Sequence, residues 1–356
     1  MKRGKNIKNW GKLFFFLYLF VLSIELIKKS SLVLAPSIQN FILHGLTPLK
    51  AICIGWFTTS IAQSSGATGA ITAAFAGNNL ITLTTAVYIL IGASLGATIT
   101  TLIISFITTT KKRRDFRHGF EIGLCYSIYS ALLVVIIFIL EYSTKLFSKT
   151  SLFLSESTID KISLLKIPNF IGIITSPIIE VLKLNNFLIL IIAFGILIFT
   201  LKYIGKSVVE VLGGEQRARK FVNKHFKSKY KTYFIGAILT GIVFSSGITI
   251  GLLVPLAVAR LINLKKAIPF ILGADLGTVT DIFLASIILN QTLALATAIA
   301  YILFGVLGAI IFLPNTEILF KITKYTSKKL IRISRKKALY FLIAFILIPL
   351  LIILIF

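Results

Sequence analysis

Gln63-Ser64-Ser65-Gly66-Ala67-Thr68 is a polar stretch inside an apolar segment, and it returns downstream as Phe244-Ser245-Ser246-Gly247-Ile248-Thr249. The offset between the two copies is 181 residues (245 − 64). A second motif, Gly92-Ala93-Ser94-Leu95-Gly96, returns at the same offset (273 − 92) as Gly273-Ala274-Asp275-Leu276-Gly277. Duplicated units that place hydroxyls and glycines inside apolar runs are typical of transporters, in which broken helices from structural repeats meet at the bilayer midplane.

The composition indicates a membrane protein. The chain has 356 residues, is 56% hydrophobic and has a mean hydropathy of +0.94, whereas soluble domains contain about 45–50% apolar residues. A net charge of +26 is also found in nucleic-acid-binding proteins. Here, however, the basic residues cluster in short loops between apolar segments, as in the cytoplasmic loops of membrane proteins. We therefore predict a multi-pass protein of the cell membrane that binds lipid through its basic loops and binds no nucleic acid.

The order of apolar segments and basic loops predicts the topology. The apolar segments are 13–29, 50–77, 83–107, 119–142, 186–204, 233–259, 267–289, 292–313 and 338–356. The basic loops are 1–12, 111–118, 202–231 and 321–337, and all four should be cytoplasmic. With a cytoplasmic N-terminus, full crossings throughout would place 111–118 and 321–337 outside. Both stay inside if 50–77 and 233–259 enter and leave the membrane on one side.

The predicted fold is therefore all-α, with two inverted-topology repeats that each contain a re-entrant helical hairpin. The predicted parts are an N-terminal helix and external segment (1–49), a first transport repeat (50–142), an external loop (143–185), a linking helix and basic cytoplasmic loop (186–232), a second transport repeat (233–313), and a basic cytoplasmic loop with a C-terminal helix (314–356). Hairpin arms of about 12 residues span about 18 Å, so the tips reach the middle of a core about 30 Å thick. Gly66 and Gly247 are expected to permit the chain reversal.

The tips have the chemistry to hold ions. Helix N-termini attract anions through free N–H groups and the helix dipole, and unwound backbone at the midplane coordinates Na+. The alternative is that Ser-Ser-Gly serves close helix packing, which is the common role of small residues in membrane helices. The occurrence of two copies in register favours the functional interpretation.

Two carboxylates, Asp275 and Asp281, lie in the predicted second-half spans, where an acidic residue is costly and indicates a site. Asp275 takes the position of Ser94 and is predicted to bind a cation; the alternatives are a structural hydrogen bond or a lysine partner. Asp281 takes the position of Thr100. It lies about one and a half helical turns beyond Asp275, so we expect it to point elsewhere and treat it as the second ion candidate.

The sequence contains no pattern typical of an enzyme. There is no nucleotide-binding loop, zinc-ligand spacing or nucleophile–base pair, and the histidines at 44, 118 and 225 are far apart. Two cysteines in apolar runs do not indicate a disulfide framework. We predict a protein that is not an enzyme and has no cofactor other than Na+ as coupling ion.

The paired motifs resemble the type II sodium–phosphate cotransporter family, whose repeats carry Gln-Ser-Ser-Ser followed by Gly-Ala-Asn-(Ile/Leu)-Gly-Thr-Thr. The resemblance covers mainly 50–107 and 233–289, and it implies Na+-coupled symport of inorganic phosphate by alternating access. This chain departs from the family pattern at Gly66 and Gly247, which replace the third serine, and at Phe244, which replaces the second glutamine. Ser94 and Asp275 replace the two asparagines.

From the motifs and the resemblance we predict two sets of site residues. The substrate set is Gln63, Ser64, Ser65, Gly66, Thr68, Ser245, Ser246, Gly247 and Thr249. The ion-binding set is Ser94, Thr98, Asp275, Thr278 and Asp281, with Na+ held by Ser64, Ser65, Ser245, Ser246 and Asp275. The alternatives are transport of another small anion on the same scaffold and a non-transporting membrane scaffold or regulatory component. The oligomeric state is open, with a homodimer among the options.

Overall fold

The structure is a computed structural model, described here over residues 10–20, 22–23, 26–27, 30, 46–108, 113–164, 185–211, 226, 228–258, 260, 262–331 and 335–355. Within these ranges the chain is helical and has no strand. Large parts of the predicted basic loops 1–12 and 202–231, and residues 109–112 and 332–334 of the other two, lie outside the described residues. So do His44, His225 and the section 165–184.

Sixteen helices are described. Those of the first half are α1 (Trp10–Phe20), α2 (Pro48–Ala62), α3 (Ser65–Gly77), α4 (Leu83–Gly96), α5 (Thr98–Thr108), α6 (Arg113–Thr144) and α7 (Leu146–Leu164). Those of the second half are α8 (Asn186–Val211), α9 (Lys229–Val243), α10 (Ser246–Gly251), α11 (Leu253–Val258), α12 (Leu264–Gly277), α13 (Val279–Leu289), α14 (Thr292–Phe312), α15 (Thr316–Ile331) and α16 (Arg335–Ile355).

Helices α2 to α5 have the same outer boundaries as α9 to α13 at the sequence offset of 181 residues. Helix α9 begins 181 residues after α2 (229 − 48), and α12 and α13 match α4 and α5 in the same way. Helices α10 and α11 together match α3. Capping residues recur in the same register: Thr82 and Asn263 each accept a hydrogen bond from the backbone N–H three residues on. The local signals that begin and end the helices were therefore duplicated with the sequence.

Four helical stretches are long and apolar enough to cross a membrane. They are Leu83–Phe106, Phe116–Thr144, Leu264–Leu289 and Thr292–Phe312. Each exceeds the roughly 20 residues that a hydrocarbon core requires. Together with the composition, these stretches confirm the predicted class, an all-α membrane protein.

Each Ser-Ser-Gly motif lies where one helix ends and the next begins. Gln63 ends α2 with φ 54°, and Phe244 ends α9 with φ 57°. The next residues, Ser64 and Ser245, are extended N-caps of α3 and α10. Our expectation that Gly66 and Gly247 permit the reversal was wrong. Single non-glycine residues adopt the left-handed conformation at helix C-termini, and both glycines lie inside the helix that follows.

A hydrogen bond across the first break shows how sharply the chain bends there. Thr59 Oγ1 donates to Thr68 Oγ1 at 2.8 Å, although the two residues are nine positions apart. In a continuous helix nine residues span about 13.5 Å. Helices α2 and α3 therefore approach each other at this end, as the arms of a helical hairpin do.

The glycines of the second motif serve close helix packing. A side chain at Gly92 would overlap the backbone of Ile52 in α2, and one at Gly273 would overlap the backbone of Tyr233 in α9. Gly96 and Gly277 contact the same two helices one turn on. The packing interpretation of small residues therefore holds for these four glycines.

Helix α3 and its counterparts pack on the opposite half of the chain. Helix α3 contacts α13 and α14, whereas α10 contacts α5 and α11 contacts α6. This exchange brings the two helix breaks together.

Two segments within predicted loops are helices, and for the first, the external loop 143–185, interfacial helices were one of the options. Residues 146–164 of the predicted external loop form α7, which packs against α14. Residues 316–331, mostly assigned to a basic loop, form α15 because Leu319, Thr323 and Ser327 recur every fourth residue and bury one face. Lys324 pairs with the buried Glu121 of α6, and Lys321, Lys328 and Lys329 are exposed, so the basic charge did not prevent a helix.

A pocket between two helix breaks

The two helix breaks form one pocket. Its lining consists of Gln63, Ser64, Ser65, Gly66, Ala97, Phe244, Ser245, Ser246, Gly247 and Thr278. These ten residues are five pairs related by the repeat offset, from Gln63 with Phe244 (244 − 63) to Ala97 with Thr278 (278 − 97). The pocket therefore lies where the two repeats meet, and each repeat contributes the same five positions.

Ser64 and Ser245 orient the walls of the pocket as N-caps. Ser64 Oγ accepts a hydrogen bond from the Ala67 N–H at 3.1 Å, and Ser245 Oγ accepts one from the Ile248 N–H at 3.2 Å. A serine hydroxyl that accepts in this way still has a proton to donate. Each cap can therefore hold its helix and also donate a hydrogen bond to an anion in the pocket.

A tyrosine from the opposite half of the chain lies behind the second serine of each motif. The Tyr126 hydroxyl of α6 lies 3.2 Å from Ser246 Oγ. On the other side, the Tyr301 hydroxyl of α14 lies near the hydroxyls of Ser65 and Ser94. Both serines are 3% exposed, so each hydroxyl lies buried between a tyrosine and the pocket.

Asp275 is held by two tyrosines of α6. Tyr126 donates to Asp275 Oδ1 and Tyr129 donates to Oδ2, each at 3.0 Å. The sequence suggested a lysine partner as one alternative, but no cationic side chain pairs with Asp275 among the described residues. Neutral hydroxyl donors take that place, and Tyr126 links this carboxylate to Ser246.

The expectation that Asp281 points away from the site was wrong. Asp281 is fully buried, and a side chain at Gly66 would overlap its carboxylate. The reason is the exchanged packing of the repeats, which places α13 against α3 at the first break. Asp281 Oδ1 accepts the Ile282 N–H at 2.9 Å, and Oδ2 has no hydrogen-bond partner among the described residues.

The equivalent position at the second break is occupied by a different kind of side chain. A side chain at Gly247 would meet Thr100, with the threonine methyl carbon 2.7 Å from the added carbon. Thr100 Oγ1 makes a long hydrogen bond, 3.5 Å, to the carbonyl oxygen of Gln63. A carboxylate thus fills the space at the first break, and a threonine side chain fills it at the second.

Apart from Thr278, the remaining predicted site residues do not line the pocket. Thr68 and Thr249 donate to the carbonyl oxygens of the two capping serines, at 3.3 and 2.8 Å. Thr98 donates to the Leu95 carbonyl, whereas Thr278 donates to the Ala274 carbonyl and also reaches the pocket. Ser94, Asp275 and Asp281 lie behind the lining.

Sequence reasoning missed Tyr126, Tyr129, Tyr301 and Thr100. The first two are spaced i, i+3, which places them on one helix face. Buried tyrosines need a hydrogen-bond partner, and that requirement was the available signal. It could not identify Asp275 as the partner, because the contact spans 149 residues.

Comparisons with known proteins add a family match. A family model described as Na+/Pi-cotransporter matches residues 19–155 and 196–326, so each matched section contains one helix break. The chain is similar to sodium-dependent phosphate transport protein 2A of Rattus norvegicus, at 22% identity over 421 residues that cover 94% of this chain and 65% of that protein. It is also similar to sodium-dependent phosphate transport protein 2B of Bos taurus, at 22% identity over 97% of this chain and 64% of that protein.

A shorter similarity links the chain to the uncharacterized protein YqeW of Bacillus subtilis, at 33% identity over 87 residues, 24% of this chain and 28% of that protein. The chain spans about 65% of the length of the first curated relatives it matches. No solved structure matches it.

Proposed function

Because the chain belongs to the Na+/Pi-cotransporter family, a family of transporters and not of enzymes, we propose that it carries inorganic phosphate across the cell membrane in symport with Na+. The observation that carries the proposal is the pocket lined by five register pairs from two repeats. Transporters built from repeats bind their substrates at such a junction. A pocket with the same five positions on both sides suits a site that opens to either face of the membrane in turn.

The phosphate would bind between the two capping serines. Phosphate oxygens accept hydrogen bonds, and this lining offers hydroxyls on both sides together with the N-terminal end of α3. The first N–H groups of a helix lack intrahelical partners, and the helix dipole favours an anion there. The substrate contacts in this proposal are Gln63, Ser64, Ser65, Ser245 and Ser246, with Gly66 and Gly247 forming the walls.

Na+ would bind beside the phosphate. In this proposal the ion-binding region comprises the serines of both breaks and, behind them, Ser94, Thr98, Asp275, Thr278 and Asp281. An anion cannot approach buried carboxylates without cost unless cations accompany it. A buried aspartate in this region would therefore couple cation and anion binding electrostatically.

Transport would proceed by alternating access of two inverted repeats. Residues 50–77 and 233–259 would each form a re-entrant hairpin whose tip is the helix break, and the N-terminus would be cytoplasmic. The bond between Thr59 and Thr68 supports the first hairpin. The left-handed residues Asn79 and Arg260, which are register counterparts (260 − 79), would lie at the open ends of the two hairpins on opposite faces.

Uptake of radiolabelled phosphate into proteoliposomes tests the proposal. We expect uptake under an inward Na+ gradient and little with choline as the replacing cation. Unlabelled phosphate should compete, whereas sulfate should not. Na+-driven uptake of a different anion would favour the first alternative, another substrate on the same scaffold. Absence of any Na+-driven uptake by folded protein would favour the second, a non-transporting membrane component.

A further inference from the structure

Four carboxylates are buried among the residues that the structure describes, and three are fully satisfied. Glu121 receives Arg117, Lys324 and Ser327. Glu141 accepts the backbone N–H groups of Phe147 and Ser148 and the Ser148 hydroxyl. Both oxygens of Asp275 accept tyrosine hydroxyls. Asp281 is the exception, since its Oδ2 is buried and has no partner within the described part of the chain.

The unpartnered oxygen lies at the place of a missing side chain. Position 66 is glycine, and the volume that its side chain would fill is occupied by the Asp281 carboxylate. The carboxylate therefore contacts the first break from behind, although it belongs to the other repeat. At the second break the same volume, beside Gly247, is filled chiefly by the methyl group of Thr100.

An ionised carboxylate oxygen in this position requires a positive partner. The N-terminal dipole of α3 offsets only part of the charge, and burial of an uncompensated carboxylate costs far more. The lysines and arginines paired with carboxylates among the described residues lie elsewhere. A small cation satisfies the carboxylate, which adjoins the first break at Gly66. The last carbonyls of α2 lack intrahelical partners, so this break can supply neutral oxygen ligands.

We propose that the Asp281 carboxylate, which fills the space left by the absent side chain of Gly66, binds a monovalent cation directly at the first helix break, and that Asp275 is a positioning residue that holds Tyr126 against Ser246. The inference rests on the proposed function in taking Na+ as the coupling cation. It assigns different roles to two aspartates that the sequence treated as one ion-binding group. The cation then binds behind the first break, whereas Asp275 acts on the phosphate side of the second.

The first test measures Na+ binding without phosphate. The purified full chain is heated in detergent over a range of Na+ concentrations, with choline keeping ionic strength and pH constant. A ligand that binds only the folded state stabilises it by RT ln(1 + [L]/Kd), so the dependence of the unfolding midpoint on Na+ concentration reports the Na+ affinity. We expect Na+ to stabilise the wild type, Asp281→Asn to weaken apparent Na+ affinity at least tenfold, and Asp275→Asn to change it less than threefold. The register counterpart Thr100→Val controls for disturbance of a helix break.

Three results would overturn the inference: no stabilisation of the wild type by Na+, equal Na+ affinity in Asp281→Asn and wild type, or a tenfold loss in Asp275→Asn alone. Phosphate affinity separates the roles further, since Asp275→Asn should weaken it while leaving Na+ binding intact. If the wild type binds Na+ through Asp281 but takes up no phosphate, the transport proposal fails and this one stands.

A second test uses the overlap at Gly66. Gly66→Ser should lower the unfolding midpoint and weaken Na+ binding, because the new side chain displaces the carboxylate. The double variant Gly66→Ser with Asp281→Ala removes the overlap. In the absence of Na+ its unfolding midpoint should return to the wild-type value, whereas its Na+ affinity should stay at least tenfold below that of the wild type. Wild-type Na+ affinity in either variant would show that the carboxylate at this position is not the ligand.

Discussion

The two helix breaks have the same backbone conformation but different side chains around it. Gln63 and Phe244 share a left-handed conformation, and Ser64 and Ser245 share the same cap. Yet the first break has a carboxamide at its entry and a carboxylate behind it, whereas the second has a phenyl ring and a threonine. Duplication therefore preserved what shapes the pocket, and substitution differentiated the charges around it. The capping residues and close-packed glycines are required by the backbone conformation. A side chain that only fills space can be replaced by one of a different chemical type.

The largest expected effect tests whether the repeats are equivalent in packing. Gly92→Val and Gly273→Val each drive a side chain into the backbone of the adjacent helix, so we expect each to cost about 3 kcal/mol or more. Monodisperse protein on size exclusion should be lost in both. Gly195→Val, at a position with no atom within 4 Å, is the control and should behave as wild type. If monodisperse protein were lost for only one of the two variants, the two repeats would differ in packing despite their shared helix boundaries.

An all-or-none effect tests whether the repeats are inverted. Single cysteines at Asn79 and Arg260, both exposed, are introduced in a background lacking Cys53 and Cys125. Since the two positions are register counterparts, inverted hairpins place them on opposite faces. We expect a membrane-impermeant thiol reagent to label Asn79→Cys from outside and Arg260→Cys only after permeabilisation. Labelling of both from one face would exclude the inverted topology.

A smaller effect concerns the tyrosine link at the second break. Tyr126→Phe removes a hydrogen bond to a carboxylate, which is typically worth about 1.5–3 kcal/mol. We expect a loss of phosphate affinity of about tenfold or more, and the same loss in Asp275→Asn. The double variant should lose little more, because the residues act through one contact. Additive losses in phosphate uptake assays would mean that Tyr126 and Asp275 act separately.

The smallest effect compares the paired serines. Ser65→Ala and Ser246→Ala should each weaken phosphate binding by about 0.5–1.5 kcal/mol, the range of a single hydrogen bond, and by up to about 3 if the ligand is charged. Because both line one pocket, the double variant should be non-additive. Wild-type uptake in both alanine variants would leave packing as the only role of these serines.

The sequence predicted the elements of the fold because local signals define them. The apolar lengths and the constant offset are visible in the chain, and they predicted the class, the repeat and the positions of the breaks. Most of α15 was wrongly assigned to a loop because it is rich in lysine. A helix with one buried face tolerates lysines on its other faces. The left-handed residues at the breaks were missed because Gln63 and Phe244 carry no sequence signal for that conformation.

The candidate site was predictable in part. The serines that meet in the pocket share a motif, so the repeat was enough to propose them. Asp281 and the three tyrosines reach the site through contacts between repeats, and helical periodicity within one segment cannot show which side chain of a distant helix lies opposite. The difference between a satisfied and an unsatisfied aspartate likewise depends on these partners, so it became visible only in the folded chain.

The exchanged packing of the repeats has a consequence for how the protein is made. Helix α3 rests on α13 and α14, which leave the ribosome some two hundred residues later. In the proposed topology the first break lies in the bilayer, and until then its polar backbone groups would be uncovered, a state that costs several kcal/mol per unsatisfied group. The nascent first half would therefore need another surface to cover these groups, either in the translocation machinery or on another chain. Severing the polypeptide between α8 and α9 and co-producing the two pieces would reveal whether a separately synthesised second half can cover them.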